Sequence, residues 1–212
     1  MSNEAGSTAR AAIAPDLLAG FAAAGTAVIS DNLQRLPGAV GLRPFHRGGA
    51  TMVGVARTVR TAAGDNLTIH KALGLIQPGE VLVVDGGGDT GRALVGEIMA
   101  AVARSRGAAG MVIDGAIRDA RALAASDFPC FARAAIHRGP YKNGPGELDV
   151  AVSVGGMVVR PGDIVVGDED GVVAFPAALA AELLVGVQAQ MQHEAEMLRS
   201  IAEGRYVGAY GR

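Results

Sequence analysis

The sequence has little of what builds disulfide frameworks, thiolate metal sites or aromatic binding surfaces. Its 212 residues include one cysteine, no tryptophan, five phenylalanines and three tyrosines. The single Cys130 excludes an internal disulfide and a cysteine-based zinc cluster, and its apolar surroundings predict an inert core thiol. The four histidines are dispersed along the chain, which argues against a histidine zinc site.

Clustered basic charge and long apolar runs are also missing. Nineteen basic and 21 acidic residues give a formal net charge of −2, whereas a nucleic-acid-binding surface needs clustered lysine and arginine. No apolar run approaches the roughly 20 residues of a membrane helix, and the N-terminal segment lacks the basic region of a signal peptide. Because a lone cysteine is also usual in a reducing compartment, we expect a cytoplasmic protein that contacts neither nucleic acid nor a membrane.

The central third of the chain instead alternates short apolar runs with glycines and a helical pattern. An apolar run at 81–84 precedes three glycines, a helical pattern covers about 92–106, and a second apolar run follows at 111–113. Arg118 and Asp119 then begin another short helix. This order predicts a βαβ unit, so the loops after both strands should lie on one edge of a sheet. Glycine N–H groups, a guanidinium and carboxylates at that edge could hold a small anion beside a metal ion.

Periodicities on both sides of this unit predict an α/β chain without a linker or a repeat. The predicted helices cover 8–24, 65–75 and 177–203, with Pro15 in the first turn of the first helix and Asp65 as N-cap of the second. The predicted strands cover 25–30, 51–61, 130–136, 149–154, 157–159, 164–166 and 172–175. Loops rich in glycine and proline are predicted over 34–49 and 137–147. We therefore expect one domain, 1–212, of the α/β class.

The ordered set of motifs resembles a known family. The segments that carry the resemblance are TAAGDNLTIHKAL at 61–73, PGEVLVVDGGG at 78–88, ALVGE at 93–97, GAAGMVIDGAIRD at 107–119 and VRPGDIVVGDEDGVVAFP at 159–176. They are similar to the ribonuclease activity regulator A-like proteins, whose catalytic branch comprises divalent-metal 4-hydroxy-4-methyl-2-oxoglutarate and 4-carboxy-4-hydroxy-2-oxoadipate aldolases. The resemblance covers about 25–204. It implies a layered ββα swivelling-domain fold and a homotrimer or homohexamer with active sites shared between subunits.

The resemblance gives Asp119 and Arg118 the central roles. From the residues alone, Asp119 would be a carboxylate stabilised by a helix N-terminus by ~0.3–1 kcal/mol, and Arg118 a surface or ion-paired side chain. In the aldolases, the position of Asp119 supplies the one direct protein ligand to Mg²⁺ or Mn²⁺, and few protein ligands are usual for Mg²⁺. The position of Arg118 binds the pyruvyl carboxylate, which suits a planar guanidinium.

The segment 96–99 matches the part of the family that holds the same carboxylate through backbone N–H groups. Gly96, Glu97, Ile98 and Met99 are the candidate substrate-binding residues of this segment. Its other interpretation is a helix interior with a tolerated glycine, which costs ~1 kcal/mol relative to alanine. Glu97 also matches a family acid, usually aspartate, that holds a metal-bound water, so the resemblance implies a catalytic role for it.

The C-terminal helix carries an apolar stripe that includes one acid. The stripe consists of Leu183, Leu184, Val187, Met191, Leu198 and Ile201. Glu194 falls on this stripe, whereas Glu196 falls on the opposite face. A buried carboxylate needs a partner, but the stripe could also end there and leave Glu194 solvated. The resemblance implies subunit contacts through this helix and aligns Glu194 with an acid that reaches the metal of a neighbouring subunit through water.

A glycine pattern offers a different interpretation of the central unit. Gly86, Gly88 and Gly91 have the spacing of a dinucleotide-binding loop, and Asp114 lies roughly where a ribose-binding acid would be. Asp85 and Asp89 flank the loop and would repel a pyrophosphate, which disfavours nucleotide binding.

The resemblance implies a metal-dependent class II pyruvate aldolase acting on 4-hydroxy-2-oxo diacids, with oxaloacetate decarboxylation as related chemistry. No Schiff base is expected, because Lys71 and Lys142 lie outside the Arg-Asp motif. The catalytic branch usually has an acid three residues after the aspartate of this motif, and Ala122 replaces it here, which leaves the substrate open. The alternative function is a non-catalytic regulator that inhibits a ribonuclease through protein–protein contacts.

Overall fold

The computed structural model describes residues 13–35, 38–49 and 51–208. The helices are α1 Pro15–Ala23, α2 Thr26–Asn32, α3 Leu67–Leu75, α4 Glu97–Ser105, α5 Ala120–Ala125 and α6 Ala180–Ala202, the last preceded by a 3₁₀ turn at Ala177–Leu179. The strands are β1 Arg43–Pro44, β2 Met52–Thr61, β3 Glu80–Asp85, β4 Ala93–Val95, β5 Gly110–Ile117, β6 Cys130–Ala135, β7 Gly146–Leu148, β8 Val152–Val154, β9 Met157–Val159, β10 Ile164–Asp168 and β11 Gly171–Phe175.

A mixed sheet forms the centre of the described chain. Its main path runs β1-β6-β5-β3-β2-β10-β11, with β4 paired to β5 and β7 paired to β2. Strands β2, β3, β5 and β6 are mutually parallel, so their carboxyl ends lie at one edge. Strand β5 is buried at every position, as expected for a central strand of a parallel sheet covered on both faces. The predicted βαβ unit is therefore present, and its loops share one edge of the sheet.

Apolar side chains on the two faces of the sheet pack into separate cores. Leu82 and Val84 of β3 face a cluster built with α3, α4 and α5, whereas Val81 and Val83 face a cluster built with the β8–β9 hairpin. This alternation follows from the two-residue period of a strand. Full burial of each such side chain stabilises the fold by about 1.5–3 kcal/mol. The prediction of a layered α/β fold is confirmed.

The N-terminal helices and α6 pack together at the β10–β11 end of the sheet. Phe21 of α1 meets Phe175 of β11 with ring centroids 4.9 Å apart, and Leu183, Leu184 and Val187 of α6 are buried in the same cluster. Farther along α6 the predicted apolar stripe is no longer buried. Leu198 and Ile201 are 67% and 49% exposed, so no described residue covers the distal part of this stripe. None of the described helices, α6 included, combines the length and apolarity that a membrane crossing requires.

Two predicted elements are wrong. Positions 25–30, predicted as a strand, belong to helix α2, because Asp168 accepts hydrogen bonds from the backbone N and Oγ1 of Thr26 at 2.7 and 2.6 Å and fixes a helix start there. The helix predicted over 92–106 begins only at Glu97. The residues before it form β4, which is buried and pairs with β5, so pairing and burial outweigh the helix propensity of its alanine and leucine.

Other boundaries shift less. The helix predicted over 8–24 is present as α1 with Pro15 in its first turn, while 8–12 lie outside the described residues. The predicted N-cap of the second helix is also wrong by one residue. Asn66 occupies the N-cap position of α3, and Asp65 instead accepts a hydrogen bond from the backbone N of Leu67 at 2.9 Å. The strand predicted over 149–154 contracts to β8.

Candidate active site

Asp119 stands between the end of β5 and the start of α5. It is the N-cap of α5 and adopts a left-handed backbone conformation with φ 58° and ψ 35°. Such a conformation is uncommon outside glycine, although aspartate tolerates it better than most residues. The Asp119 carbonyl accepts hydrogen bonds from the backbone N of Ala122 and Leu123 at 2.9 and 3.1 Å, and Arg118 N binds Val95 O at 2.9 Å. These bonds hold Asp119 at the junction of β4 and α4.

The carboxylate of Asp119 is fixed by the first residue of α4. The backbone N of Glu97 donates a hydrogen bond to Asp119 Oδ2 at 3.0 Å, and Arg118 Nε lies 3.7 Å from the same oxygen. The side chains of Arg118 and Asp119 remain 47% and 40% exposed. A guanidinium and a carboxylate are thus placed side by side and remain accessible to a ligand.

Gly96 permits this close approach. It is the N-cap of α4 with an extended backbone, not a helix-interior residue. A methyl group at this position would overlap Asp119 Oδ2 and would come within 2.9 Å of Arg118 Cγ. The helix-interior interpretation of this glycine is therefore wrong. The groups that approach it are the two side chains of the candidate site itself.

A small cleft of about 30 Å³ adjoins Arg118 and Asp119. It is lined by Asn66, Ala93, Leu94, Val95, Gly96, Ile98, Met99, Arg118, Asp119 and Pro140. The Nδ2 of Asn66 donates to Leu94 O at 2.9 Å and to Met99 Sδ at 3.4 Å. Its Oδ1, in contrast, is buried with no hydrogen-bond partner among the described residues. Leaving such an oxygen unsatisfied costs about 1–3 kcal/mol. Asn66 therefore brings to the lining of the cleft a buried acceptor that no described residue satisfies.

Asn66 was not predicted as a site residue, because an asparagine directly before a helix is usually a cap. One signal could have identified it: Asp65 precedes it and can satisfy the helix start alone, which frees the Asn66 amide for another purpose. Its side chain makes no capping hydrogen bond in α3. The cleft thus gains a polar group that the motif at 118–119 does not contain.

The loop after β6 closes one side of the cleft and is tied to Asp65. Asp65 Oδ2 accepts hydrogen bonds from the backbone N of Asn143 and Gly144 at 2.5 and 3.0 Å. Burial alone would raise the pKa of Asp65, but these bonds and the one from Leu67 outweigh it and hold the pKa below its ordinary value. Pro140 of the same loop lines the cleft.

The glycine loop at 86–91 does not have the surroundings of a dinucleotide site. Its own carboxylates use its N–H groups, since Asp85 Oδ1 accepts from Gly87 N at 3.0 Å. Asp114 is ion-paired with Arg133 and is 5% exposed, so it is not available to a ribose. Strand β4, not a helix, follows the loop. These contacts argue against a dinucleotide-binding site at this loop.

Comparison with known proteins identifies the family of this chain. The family model described as RraA-like, Aldolase/RraA, matches residues 26–174. The chain belongs to the RraA-like family. The predicted family is thereby confirmed, and the matched region contains β1 to β10 and every residue that lines the Asp119 cleft.

Three similar proteins each match most of the length of this RraA-like chain. A Halalkalibacterium halodurans protein named "Putative 4-hydroxy-4-methyl-2-oxoglutarate aldolase" is 38% identical over 189 residues, which are 89% of this chain and 90% of that protein. The RNA-processing inhibitor RraA from "Thermus thermophilis" is 37% identical, with a TM-score of 0.65 over 72% of this chain and 93% of its own. An uncharacterized protein from Pseudomonas syringae pv. tomato is 28% identical, with a TM-score of 0.80 over 91% and 94% of the two chains.

The other predicted site residues of this RraA-like protein lie partly at the cleft and partly outside it. Met99 is buried against Asn66, whereas Ile98 is 74% exposed at the mouth of the cleft and the Glu97 side chain is exposed. Glu194 does not line the cleft, and its Oε1 accepts a hydrogen bond from Gln190 Nε2 at 2.8 Å. Glu196 is exposed and ion-paired with Arg199. The approach of Glu194 to a neighbouring subunit stays a prediction.

The donor groups of the cleft suit a hydrated Mg²⁺ or Mn²⁺ better than zinc. No group of three histidine, cysteine or acidic side chains with metal-binding geometry occurs among residues 13–35, 38–49 and 51–208. One accessible carboxylate, Asp119, lines the same cleft as Asn66, whose buried amide oxygen has no partner among the described residues. Mg²⁺ usually keeps several waters and uses one or two carboxylates, so the Asp119 carboxylate fits it. Cys130 is buried, and burial raises the pKa of its thiol to about 12, which makes it an unsuitable thiolate ligand.

Proposed function

We propose that this protein is a divalent-metal-dependent class II pyruvate aldolase. Its substrates are 4-hydroxy-2-oxo diacids of the 4-hydroxy-4-methyl-2-oxoglutarate or 4-carboxy-4-hydroxy-2-oxoadipate type, which it cleaves to pyruvate and a second oxo acid. The observation that carries the proposal is the accessible Arg118–Asp119 pair, fixed at the N-terminus of α4 in a cleft that Asn66 also lines. The family and the name of the Halalkalibacterium relative support the same chemistry.

Arg118 and the start of α4 bind the pyruvyl carboxylate in this proposal. The planar guanidinium forms two parallel hydrogen bonds to the carboxylate. The first N–H groups of a helix lack intrahelical partners, so those of Ile98 and Met99 add donors, while the N–H of Glu97 is already used by Asp119. Gly96 keeps this corner free of a side chain. The substrate is thereby oriented with its 2-oxo group toward Asp119.

Asp119 would hold Mg²⁺ or Mn²⁺, and the buried amide oxygen of Asn66 would be satisfied by a water enclosed with the bound substrate. When bound, the metal ion supplies Lewis acidity at the 2-oxo group, which favours negative charge there. Arg118 stabilises the same developing charge from the other side. Cleavage breaks the C3–C4 bond, its electron pair remains on the pyruvyl part, and the C4 hydroxyl loses its proton as it becomes a carbonyl.

Protons move through a water held by acidic side chains. Glu97 of one subunit and Glu194 of a neighbouring subunit hold this water, which takes the proton of the C4 hydroxyl and returns a proton to C3. The same arrangement allows decarboxylation of oxaloacetate, because loss of carbon dioxide leaves the same pyruvyl carbanion equivalent. We propose a cytoplasmic homotrimer or homohexamer, since only an oligomer can bring Glu194 to the Asp119 of another chain.

The proposal is tested by measuring pyruvate release from a panel of 4-hydroxy-2-oxo acids and oxaloacetate, with and without Mg²⁺. At least one diacid of the panel is expected to yield stoichiometric pyruvate in the presence of Mg²⁺. The Arg118→Ala protein serves as the control for contaminating aldolase. Absence of pyruvate from every member of the panel, with folded and metal-loaded protein, would reject the aldolase.

A second candidate function is inhibition of RNA processing through protein–protein contacts. It is favoured by the 37% identity to the RNA-processing inhibitor RraA from "Thermus thermophilis". That relative covers 72% of this chain, whereas the relative named as an aldolase covers 89%. A non-catalytic binder also has no need of an accessible Arg118–Asp119 pair in a cleft. Inhibition of a ribonuclease by both wild-type protein and Asp119→Asn, without any pyruvate release, would favour this second function.

A further inference from the structure

A second depression adjoins Asp119 on the side of α5. It is open, has a volume of about 520 Å³, and is lined by Asp119, Ala120, Arg121, Ala122 and Ala125. Asp119 also lines the small cleft, so the two spaces meet at this residue. A ligand held by Arg118 and Asp119 therefore has room to extend over the first turns of α5.

Arg121 is the basic side chain of this depression. It is exposed and makes no hydrogen bond or ion pair with any residue that the structure describes. By contrast, Arg104 on the neighbouring helix α4 binds Asp127 at 2.7 Å. The other side chains around Arg121 are the methyl groups of three alanines and the carboxylate of Asp119, which is itself engaged by Glu97 and Arg118. The guanidinium of Arg121 is thus available to a ligand.

We propose that Arg121 binds a second carboxylate of the substrate, the one beyond the C4 carbon. This inference rests on the proposed aldolase function and names the residue that would distinguish its diacid substrates from monocarboxylates. Arg118 takes the pyruvyl carboxylate and Arg121 takes the distal one, while the alanine methyl groups contact the carbon chain between them. A planar guanidinium is suited to a carboxylate because it can donate two parallel hydrogen bonds. The absence of any acid at Ala122 spares the distal carboxylate a repulsive neighbour.

The test compares two unreactive ligands of equal chain length. In 2-oxoglutarate the pyruvyl part is followed by a distal carboxylate, whereas 2-oxopentanoate ends in a methyl group, and neither has a C4 hydroxyl. Isothermal titration of the Mg²⁺-loaded protein gives the Kd of each. Wild-type protein is expected to bind 2-oxoglutarate at least about fivefold more tightly, the effect of one exposed charge pair of about 1 kcal/mol. Arg121→Met should abolish this preference and leave the Kd of 2-oxopentanoate unchanged, and Arg121→Lys should retain part of it.

Lys142 supplies the matched control, because it is an exposed cation on the loop at the other side of the cleft. Lys142→Met should keep the preference for 2-oxoglutarate. The inference is overturned if wild-type protein binds both ligands equally, if Arg121→Met keeps the preference, or if Lys142→Met removes it. If wild-type protein binds neither ligand, the pyruvyl site itself fails, and the proposed function falls together with the inference.

Discussion

The backbone N–H of Glu97 donates a hydrogen bond to Oδ2 of Asp119 at 3.0 Å, across 22 positions of sequence. This bond joins the start of α4 to the start of α5 and is possible because Gly96 has no side chain. It engages one carboxylate oxygen, and no hydrogen bond from the described residues engages the other. The carboxylate of Asp119 is therefore held in a fixed place before any ligand binds, as the proposed metal ligand requires.

Replacement of Gly96 should disrupt this relationship. In Gly96→Ala the new methyl group would overlap Asp119 Oδ2 and crowd Arg118, so pyruvate release should fall at least about tenfold, matching ~1.4 kcal/mol or more of lost transition-state stabilisation. Gly74→Ala is the matched control, because a methyl group at this position of α3 meets nothing closer than 3.9 Å and alanine favours a helix by ~1 kcal/mol. Steady-state kinetics and urea unfolding check both variants. Unchanged kcat/KM in Gly96→Ala would contradict the close packing.

Asp65 should stabilise the loop that closes the cleft. Asp65→Asn removes a buried carboxylate that accepts three backbone N–H bonds, so the free energy of unfolding should fall by about 1–3 kcal/mol at pH 7. The folded-state pKa of Asp65 lies below its ordinary value. Its stabilising contribution is therefore present above an unfolded-state pKa of about 3.9 and is lost as pH falls through the folded-state pKa.

Urea unfolding of wild-type protein and Asp65→Asn across pH 3 to 7 measures this dependence. The difference between the two proteins should be largest at pH 7 and should shrink toward the acid end. Asp127→Asn is the control, because Asp127 is 56% exposed in a surface ion pair with Arg104 and should change stability little. A difference that grows toward acid pH would show that the carboxylate of Asp65 is not the stabilising form.

Arg118 should contribute to binding of the substrate carboxylate and of the transition state. Arg118→Ala is expected to lower kcat/KM by roughly 10- to 150-fold, corresponding to ~1.5–3 kcal/mol for hydrogen bonds to a charged group. Arg118→Lys should recover only part of this loss, because an ammonium cannot form the paired hydrogen bonds of a guanidinium. Arg104→Ala, which removes a surface arginine paired with Asp127, is the control. Near-wild-type kcat/KM in Arg118→Ala would show that Arg118 is an ordinary surface residue without a role in substrate binding.

Glu194 and Glu196 of α6 should differ in their effect on turnover. Glu194 is half-buried on the apolar stripe and Glu196 is exposed and paired with Arg199. We expect Glu194→Ala to lower turnover sharply and Glu196→Ala to leave it within a few-fold. Mixed oligomers of Glu194→Ala and Asp119→Ala subunits should regain activity, because some interfaces then pair an intact Asp119 with an intact Glu194. Equal losses at the two acids, or no recovery in verified mixed oligomers, would contradict an active site shared between subunits.

The parallel strands could be predicted from sequence because their burial leaves a direct pattern. Runs such as 81–84 and 111–113 are apolar at every position, and the glycines and aspartates after them mark the strand ends. Strand β4 and helix α2 could not be predicted in the same way. Their conformations depend on partners far along the chain: β5 for the first, and Asp168 for the second.

The candidate site was predictable as a set of residue types but not as a geometry. Arg118 and Asp119 were recognisable from their motif, whereas the left-handed backbone of Asp119 and its bond to Glu97 N are tertiary features. The unpartnered oxygen of Asn66 could not be predicted, because the side chain of an asparagine before a helix is usually engaged as a cap. The distal half of the α6 stripe was predicted as apolar. Nothing in the sequence indicates that a single chain leaves these apolar side chains exposed.

The Mg²⁺ dependence of pyruvate release, measured side by side for wild-type protein and Asp119→Asn, tests the central claim most directly. The asparagine can still accept the Glu97 N–H, so the fold should persist while the anionic metal ligand is lost. Wild-type protein should be inactive in excess chelator and should regain full turnover with Mg²⁺ or Mn²⁺, whereas Asp119→Asn should release no pyruvate at either setting. Full wild-type turnover after verified removal of the metal, or wild-type turnover in Asp119→Asn, would contradict a metal-dependent aldolase built on Asp119.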